Sequence, residues 1–418
     1  MNGTQKYRLT NWTRAALISF IISALFGVIM RWAFVADLPD WIVFKNMRHT
    51  HSHVAMLGWL YSGLYIFIVH TFKLNTHKYG SLFWWTQLSV LGMLVSFPVQ
   101  GYGAVSITFS SFHIILSYVF IVFVFQDLKK NKGSEQKPSV TFLKTSLIFL
   151  FVSTIGAWSL GPILLSSAGK SSLYYGAIQF FLHFQFNGWF IFAMIAIFLQ
   201  LMHDKGVILP GKNIDRFYFL LSISCILTFA LAVTWSTPDK FIFWINSLGV
   251  IIQLCALLYL LKIIIPVKKP IKLKLNAFSF FLLGLAFLGL VLKIVVQTSV
   301  AVPYIATISY TMRNFVIGFI HLLMLGSISL FLFGMINESM VKTNKKIKVG
   351  INILLAGFIL SELLLFIQGV MLWMTKGFIP YYYEILLFAS ILMPLGVIIY
   401  YTGFNSSEKT SPFISTPK

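Results

Sequence analysis

The sequence predicts an all-α polytopic membrane protein of about twelve transmembrane helices in three sets of four. Three observations carry this. Hydrophobic residues make up 58% of the 418 positions and charged residues only 10%, so apolar runs exceed the roughly 20 residues needed to cross a bilayer many times over. The connections between those runs are alternately rich and poor in lysine. A histidine pattern also recurs at related places along the chain: His53, Met56, Leu57 and Gly58 match His321, Met324, Leu325 and Gly326, and His53, Gly58 and Trp59 match His183, Gly188 and Trp189.

Taken in order, the spans are expected near 12–36, 47–72, 80–100, 104–126, 140–164, 172–202, 216–236, 241–266, 275–298, 308–336, 349–374 and 381–403. The first is too long for a signal-peptide core and lacks a small-residue cleavage site, so it reads as a spanning helix. Connections after even-numbered spans are basic: Lys73 and Lys78; Lys129, Lys130, Lys132 and Lys137; Lys205, Lys212 and Arg216; Lys268, Lys269, Lys272 and Lys274; Lys342, Lys345, Lys346 and Lys348. Those after odd-numbered spans hold few cations, such as Lys45, Arg48, Lys170, Lys240 and Lys376. The positive-inside rule then puts both termini in the cytoplasm. The net charge of +21 is explained by these loops rather than by a nucleic-acid partner. Residues 1–404 read as one helical domain surrounded by lipid, and 405–418, rich in Ser, Thr and Pro, as a disordered cytoplasmic tail. The two cysteines, Cys225 and Cys255, sit in apolar segments and support neither a disulfide framework nor a thiolate metal site.

This orientation places His53, His113, His183 and His321 in the outer half of spans two, four, six and ten, on the order of 10 to 20 Å below the outer end. Histidine at that depth is costly to desolvate and implies a partner inside the bundle. Neutral imidazole suits haem iron or copper, and two histidines on separate helices can hold a porphyrin axially. His53 and His321, whose surroundings match best, are the first pair for this role. His183 and His113 are candidates for a second metal, either copper or a second iron, or for a second haem. His49 and His53 are four apart and share a helix face, whereas His51 points elsewhere; any of the three can be the ligand. His70, His77 and His203 fall at cytoplasmic helix ends. Gly58 and Gly326, about 140° around the helix from the imidazoles, suit close helix packing. Arg31, Arg48 and Arg313 stand where haem propionates would emerge, and Arg pairs bidentately with carboxylates. Lys293, Glu362 and Glu384 are candidate proton carriers.

Twelve spans in three sets of four, with such histidines on the second, sixth and tenth, resemble the catalytic subunit of haem-copper oxidases and the related nitric oxide reductases. The His-x-His followed by Leu-Gly in span two, and His-x3-Leu-Gly in span ten, also resemble the NnrS family of haem and copper membrane proteins. The resemblance implies a low-spin haem of b type on His53 (or His51) and His321, and a copper or non-haem iron site at His183. It further implies a bacterial inner-membrane location, a small diatomic gas such as nitric oxide or oxygen as ligand or substrate, and a cytochrome or quinol as electron donor. The departures are specific. Span seven lacks the histidine pair of the active enzymes, Phe319 and Leu323 flank a solitary His321, and Asn187 stands four residues after His183 where a tyrosine is usual. The expectation is a haem protein that binds or reduces a gas or relays electrons, an oxidoreductase only with an altered metal site; the alternative is transport of copper or haem without redox turnover.

Overall fold

A computed structural model describes residues 3–130, 137–166 and 171–409. Lys132, Lys170 and the tail from 410 lie outside the described residues. Among the described residues there are twelve helices long and apolar enough to cross a membrane, and no strand. They are α1 (Tyr7–Trp32), α2 (Phe44–Thr71), α3 (Thr76–Gln100), α4 (Ala104–Lys130), α5 (Lys137–Leu165), α6 (Ser172–Asp204), α7 (Gly211–Thr234), α8 (Lys240–Ile264), α9 (Ala277–Ala301), α10 (Arg313–Ser339), α11 (Lys345–Trp373) and α12 (Tyr382–Ser407).

Each expected span has its helix, with two adjustments. The expected tenth span starts too early: Pro303–Thr311 is a separate short helix, and extended backbone at Met312 (φ −86°, ψ 102°) separates it from α10. Helical structure in the last element runs on to Lys409, so positions 405–409, assigned to a disordered tail, are helical. By its internal contacts the chain divides into two compact units, 1–123 with 332–418, and 124–331.

The first unit is built on aromatic packing. Trp12 stacks on Phe83 at 4.9 Å, Phe20 on Trp59 at 4.9 Å and Tyr65 on Phe120 at 4.2 Å between ring centroids. In an apolar solvent burial alone discriminates little, so shape and close contact decide helix association. The α11–α12 hairpin shows this most directly. A Cβ on Gly350 would lie 2.5 Å from the Tyr400 backbone nitrogen and 2.6 Å from the Gly396 carbonyl oxygen, so only glycine permits this approach. In the second unit, polar side chains buried between helices find one another: Ser139 donates to Gln200 at 2.7 Å, and the Asn246 amide donates to the Val300 carbonyl at 2.9 Å.

The threefold repeat has a backbone signature. Directly after His53, His183 and His321 the α-helix widens into a π-helix, over Val54–Tyr61, Phe184–Phe190 and Leu322–Ser329. Ser62 and Ser329 then donate to carbonyls five residues back, Leu57 and Met324, at 3.1 and 2.8 Å. The equivalent glycines Gly58, Gly188 and Gly326 face the preceding helix of their own set. A Cβ on Gly58 would lie 2.7 Å from Ser19 Cβ of α1, one on Gly188 2.6 Å from Phe149 of α5, and Gly326 sits against Gly289 of α9. Close helix packing is therefore the role of these glycines. The three histidine helices are also the most buried spans, at 83%, 72% and 50% of their apolar windows.

Overpacking at these contacts costs about 1–3 kcal/mol. Gly58→Leu and Gly188→Leu are expected to lower the thermal midpoint of the detergent-solubilised protein, whereas Gly284→Ala, where an added Cβ meets nothing within 4 Å, leaves it unchanged. Equal midpoints for all three would remove the packing role.

Candidate functional site

The sequence candidates fall into two settings, one in each unit. In the first unit, Asn46 on the opening turn of α2 donates to the Pro98 carbonyl of α3 at 3.2 Å. The chain then turns through Gly101 at φ +59°, a left-handed conformation that glycine adopts without strain. A Cβ there would also meet Asn46 Oδ1 at 2.6 Å. The turn delivers Tyr102 over α2, where its ring meets those of His49 and His53 at 4.6 and 5.8 Å. Phe97 packs on His53 from the other element, 4.4 Å between centroids. His49 and His53 therefore share one face, as their spacing requires.

The protonation pattern of His53 follows from its partner. Nδ1 lies 2.9 Å from the His49 carbonyl oxygen, which can only accept, so Nδ1 carries the hydrogen. The Nε2 lone pair of neutral His53 is left pointing outward from that anchor, with the Tyr102 hydroxyl at 3.4 Å. His51 is turned to the opposite side. Its Nδ1–H donates to the Ser23 carbonyl at 2.7 Å, and its ring sits where a Cβ on Gly27 would be 3.3 Å away. His113 is buried at 3% exposure, edge-on to Tyr61 at 4.8 Å and within electrostatic reach of His53. His49 Nε2 and His113 Nε2 are buried without a hydrogen-bond partner. Arg31 is half-buried and within electrostatic reach of His51 and of Glu362 on α11; Arg48 is exposed on α2.

The second unit treats its histidine differently. Between Leu227 and Ala230 α7 breaks: the Phe229 amide bonds back to Ile226 rather than to Cys225. Gly249 of α8 lies directly against the break, since a Cβ on it would sit 2.7 Å from Leu227 Cβ. The freed Cys225 carbonyl accepts from His183 Nε2–H at 2.7 Å. The lone pair of His183 is then on Nδ1, and it faces the Asn187 amide nitrogen at 3.4 Å. The Asn187 oxygen in turn accepts from Lys293 Nζ of α9 at 2.7 Å. Lys293 is completely buried, its ammonium also 5.7 Å from the Phe319 ring centroid. Both nitrogens of His183 thus face polar partners from the protein, and the buried Lys293 stands beyond Asn187. His321 occupies in α10 the same position before the widened segment that His53 holds in α2, and Arg313 is exposed at the start of that helix. Among the described residues no three His, Cys, Asp or Glu side chains converge as a metal cluster.

Sequence reasoning missed Tyr102, Phe97 and the pairing of Lys293 with Asn187. Tyr102 had a signal in its two flanking glycines, Gly101 and Gly103; the lysine pairing had none, because its members are 106 positions apart.

No family model matches the chain, and no curated relative does. Among solved structures it is similar to a haem-copper terminal oxidase dimer determined by cryo-EM, at TM-score 0.71 and 10% identity, covering 100% of this chain and 86% of that one. The protein is a multi-pass helical membrane protein. Its fold is that of the haem-copper oxidase subunit I class.

A buried cation that loses its acceptor costs more than a neutral amide that loses its donor. Asn187→Leu is therefore expected to destabilise the protein by about 3 kcal/mol or more, and Lys293→Met by about 1–3 kcal/mol. The double variant should recover part of the Asn187→Leu loss. Denaturant unfolding of the four proteins in detergent measures the coupling, and strictly additive losses would show that the pair does not interact.

Proposed function

We propose that the chain is a haem-binding membrane protein in which His53 is an axial ligand and which relays electrons or binds a small diatomic gas. The observation that carries this is the Nδ1–H of His53 fixed on the His49 carbonyl at 2.9 Å. Ligating histidines as a rule donate their other ring N–H to a carbonyl or carboxylate, which fixes the tautomer and aims the lone pair. Phe97 and Tyr102 supply apolar walls, and the helix widens one residue later, a distortion that recurs at functional sites. His321, at the matching place in its own unit, is the second proposed ligand. Haem iron, when bound, supplies one-electron chemistry and an affinity for small gases. This chain's own residues hold the His53 ring and keep its proton on Nδ1. Arg31, Arg48 and Arg313 are proposed as propionate partners, with Arg31 the least exposed of them. His51, held on Ser23 and Gly27, serves packing of α1 on α2.

The second metal expected at His183 is not part of this reading. The His183 Nε2–H is held by the Cys225 carbonyl and its Nδ1 faces the Asn187 amide, which is itself bonded to the buried Lys293. Reduction of oxygen or nitric oxide at a paired metal centre therefore has no support in the residues around His183, and electron relay or gas binding at one haem remains.

Protein expressed with ample haem should show a Soret band. His53→Ala and His321→Ala should each lower haem occupancy at least as much as the roughly tenfold typical of losing a supporting group around a metal, while His51→Ala and His183→Gln retain it. Two histidine ligands give a low-spin spectrum unmoved by carbon monoxide and assign electron relay; a shift on adding the gas assigns gas binding. Colourless protein, or a His53→Ala variant with full haem content, would sink the proposal.

A further inference from the structure

Apart from the histidines, the second unit carries a cavity of about 320 Å³ lined by α6, α7, α8, α9 and α10. Its walls are almost wholly apolar, with Ile195, Phe198, Phe287 and Leu290 among them, and the one charged residue on its rim is Lys268. On α9 the lining runs from Phe280 to Leu290, a rise of about 15 Å, which is half the roughly 30 Å hydrocarbon thickness of a bilayer. The groove therefore has the depth of one leaflet. It is open on one side: Gly284 is exposed, nothing lies within 4 Å of where its Cβ would be, and Ile265 is 64% exposed.

Lys268 begins a short helix, Lys268–Lys274, whose Ile271 is buried in the cavity wall while Lys268, Lys269, Lys272 and Lys274 stay exposed. This is the geometry of an interfacial anchor, with an apolar residue turned down into the unit and cations held at headgroup level. Polybasic segments at that level attract anionic lipid headgroups.

We infer that this groove is a specific site for one anionic glycerophospholipid, with an acyl chain along Gly284 and Phe287 and its phosphate on Lys268. The depth matches one leaflet, the lining matches a hydrocarbon chain, and the lysines at the open end select the headgroup charge. The inference is independent of haem binding, since none of the lining residues belongs to the histidine sites.

The test is native mass spectrometry of the full chain released from nanodiscs of phosphatidylcholine doped with phosphatidylglycerol. The wild type should keep one phosphatidylglycerol under activation that strips all other lipid. Gly284→Phe places a ring in the groove, in space no side chain occupies, and should abolish that retention. Lys268→Gln should weaken it about fivefold, the value of one cation near a charged surface, and narrow the preference over phosphatidylcholine by the same factor. Gly284→Ala, too small to block the groove, serves as the folding control and should retain the lipid. Retention unchanged in Gly284→Phe, or equal retention of both lipids by the wild type, would overturn the inference.

Discussion

Backbone polar groups have no water to turn to in a bilayer interior, so every carbonyl and amide released from a helix must be met by the protein itself. That constraint explains the features that give this molecule its chemistry. Where α7 breaks, the released Cys225 carbonyl is met by a histidine. After each of three histidines, the helix shifts its bonding register by one residue without opening it, and serines close the gaps at Leu57 and Met324. The hydrogen bond that fixes the His53 tautomer uses another such carbonyl, that of His49.

The same constraint divides the repeats. His53 and His183 begin from equivalent sequence positions, each ending an α-helical segment ahead of a widened one. They diverge through their neighbours. His53 is anchored on its own helix, with its other nitrogen 3.4 Å from the Tyr102 hydroxyl, whereas His183 is anchored across to α7, and its other nitrogen meets Asn187 and, through it, Lys293. Burying an ammonium is expensive unless it is bonded, so Lys293 and Asn187 depend on each other, and together they fill the setting of His183 with hydrogen bonds. One recurring pattern thus meets a tyrosine hydroxyl in one unit and a buried amide–lysine pair in the other.

Much of this was legible in order along the chain. Span number and approximate bounds follow from local hydropathy, because a transmembrane helix satisfies its own backbone bonds and needs no distant partner. The shared face of His49 and His53 follows from helical spacing, and the packing role of Gly58 and Gly326 from their angle to the histidines. The helical continuation through 405–409 was missed because composition there resembles a flexible tail, and the break at Met312 because apolar character runs across it. The polar partners of His183 were not legible, since its residue type and repeat position carry no information about what α7 and α9 place beside it.

The sequence by itself determined a twelve-span helical membrane protein and the recurrence of its histidines, since both are written in residues a few positions apart. Only the tertiary structure decided which imidazole is anchored on its own helix, which is bonded to a broken helix, and where an apolar groove opens beside Lys268. Those outcomes depend on contacts between residues such as His183 and Cys225, or Asn187 and Lys293, that only packing brings within reach of a hydrogen bond.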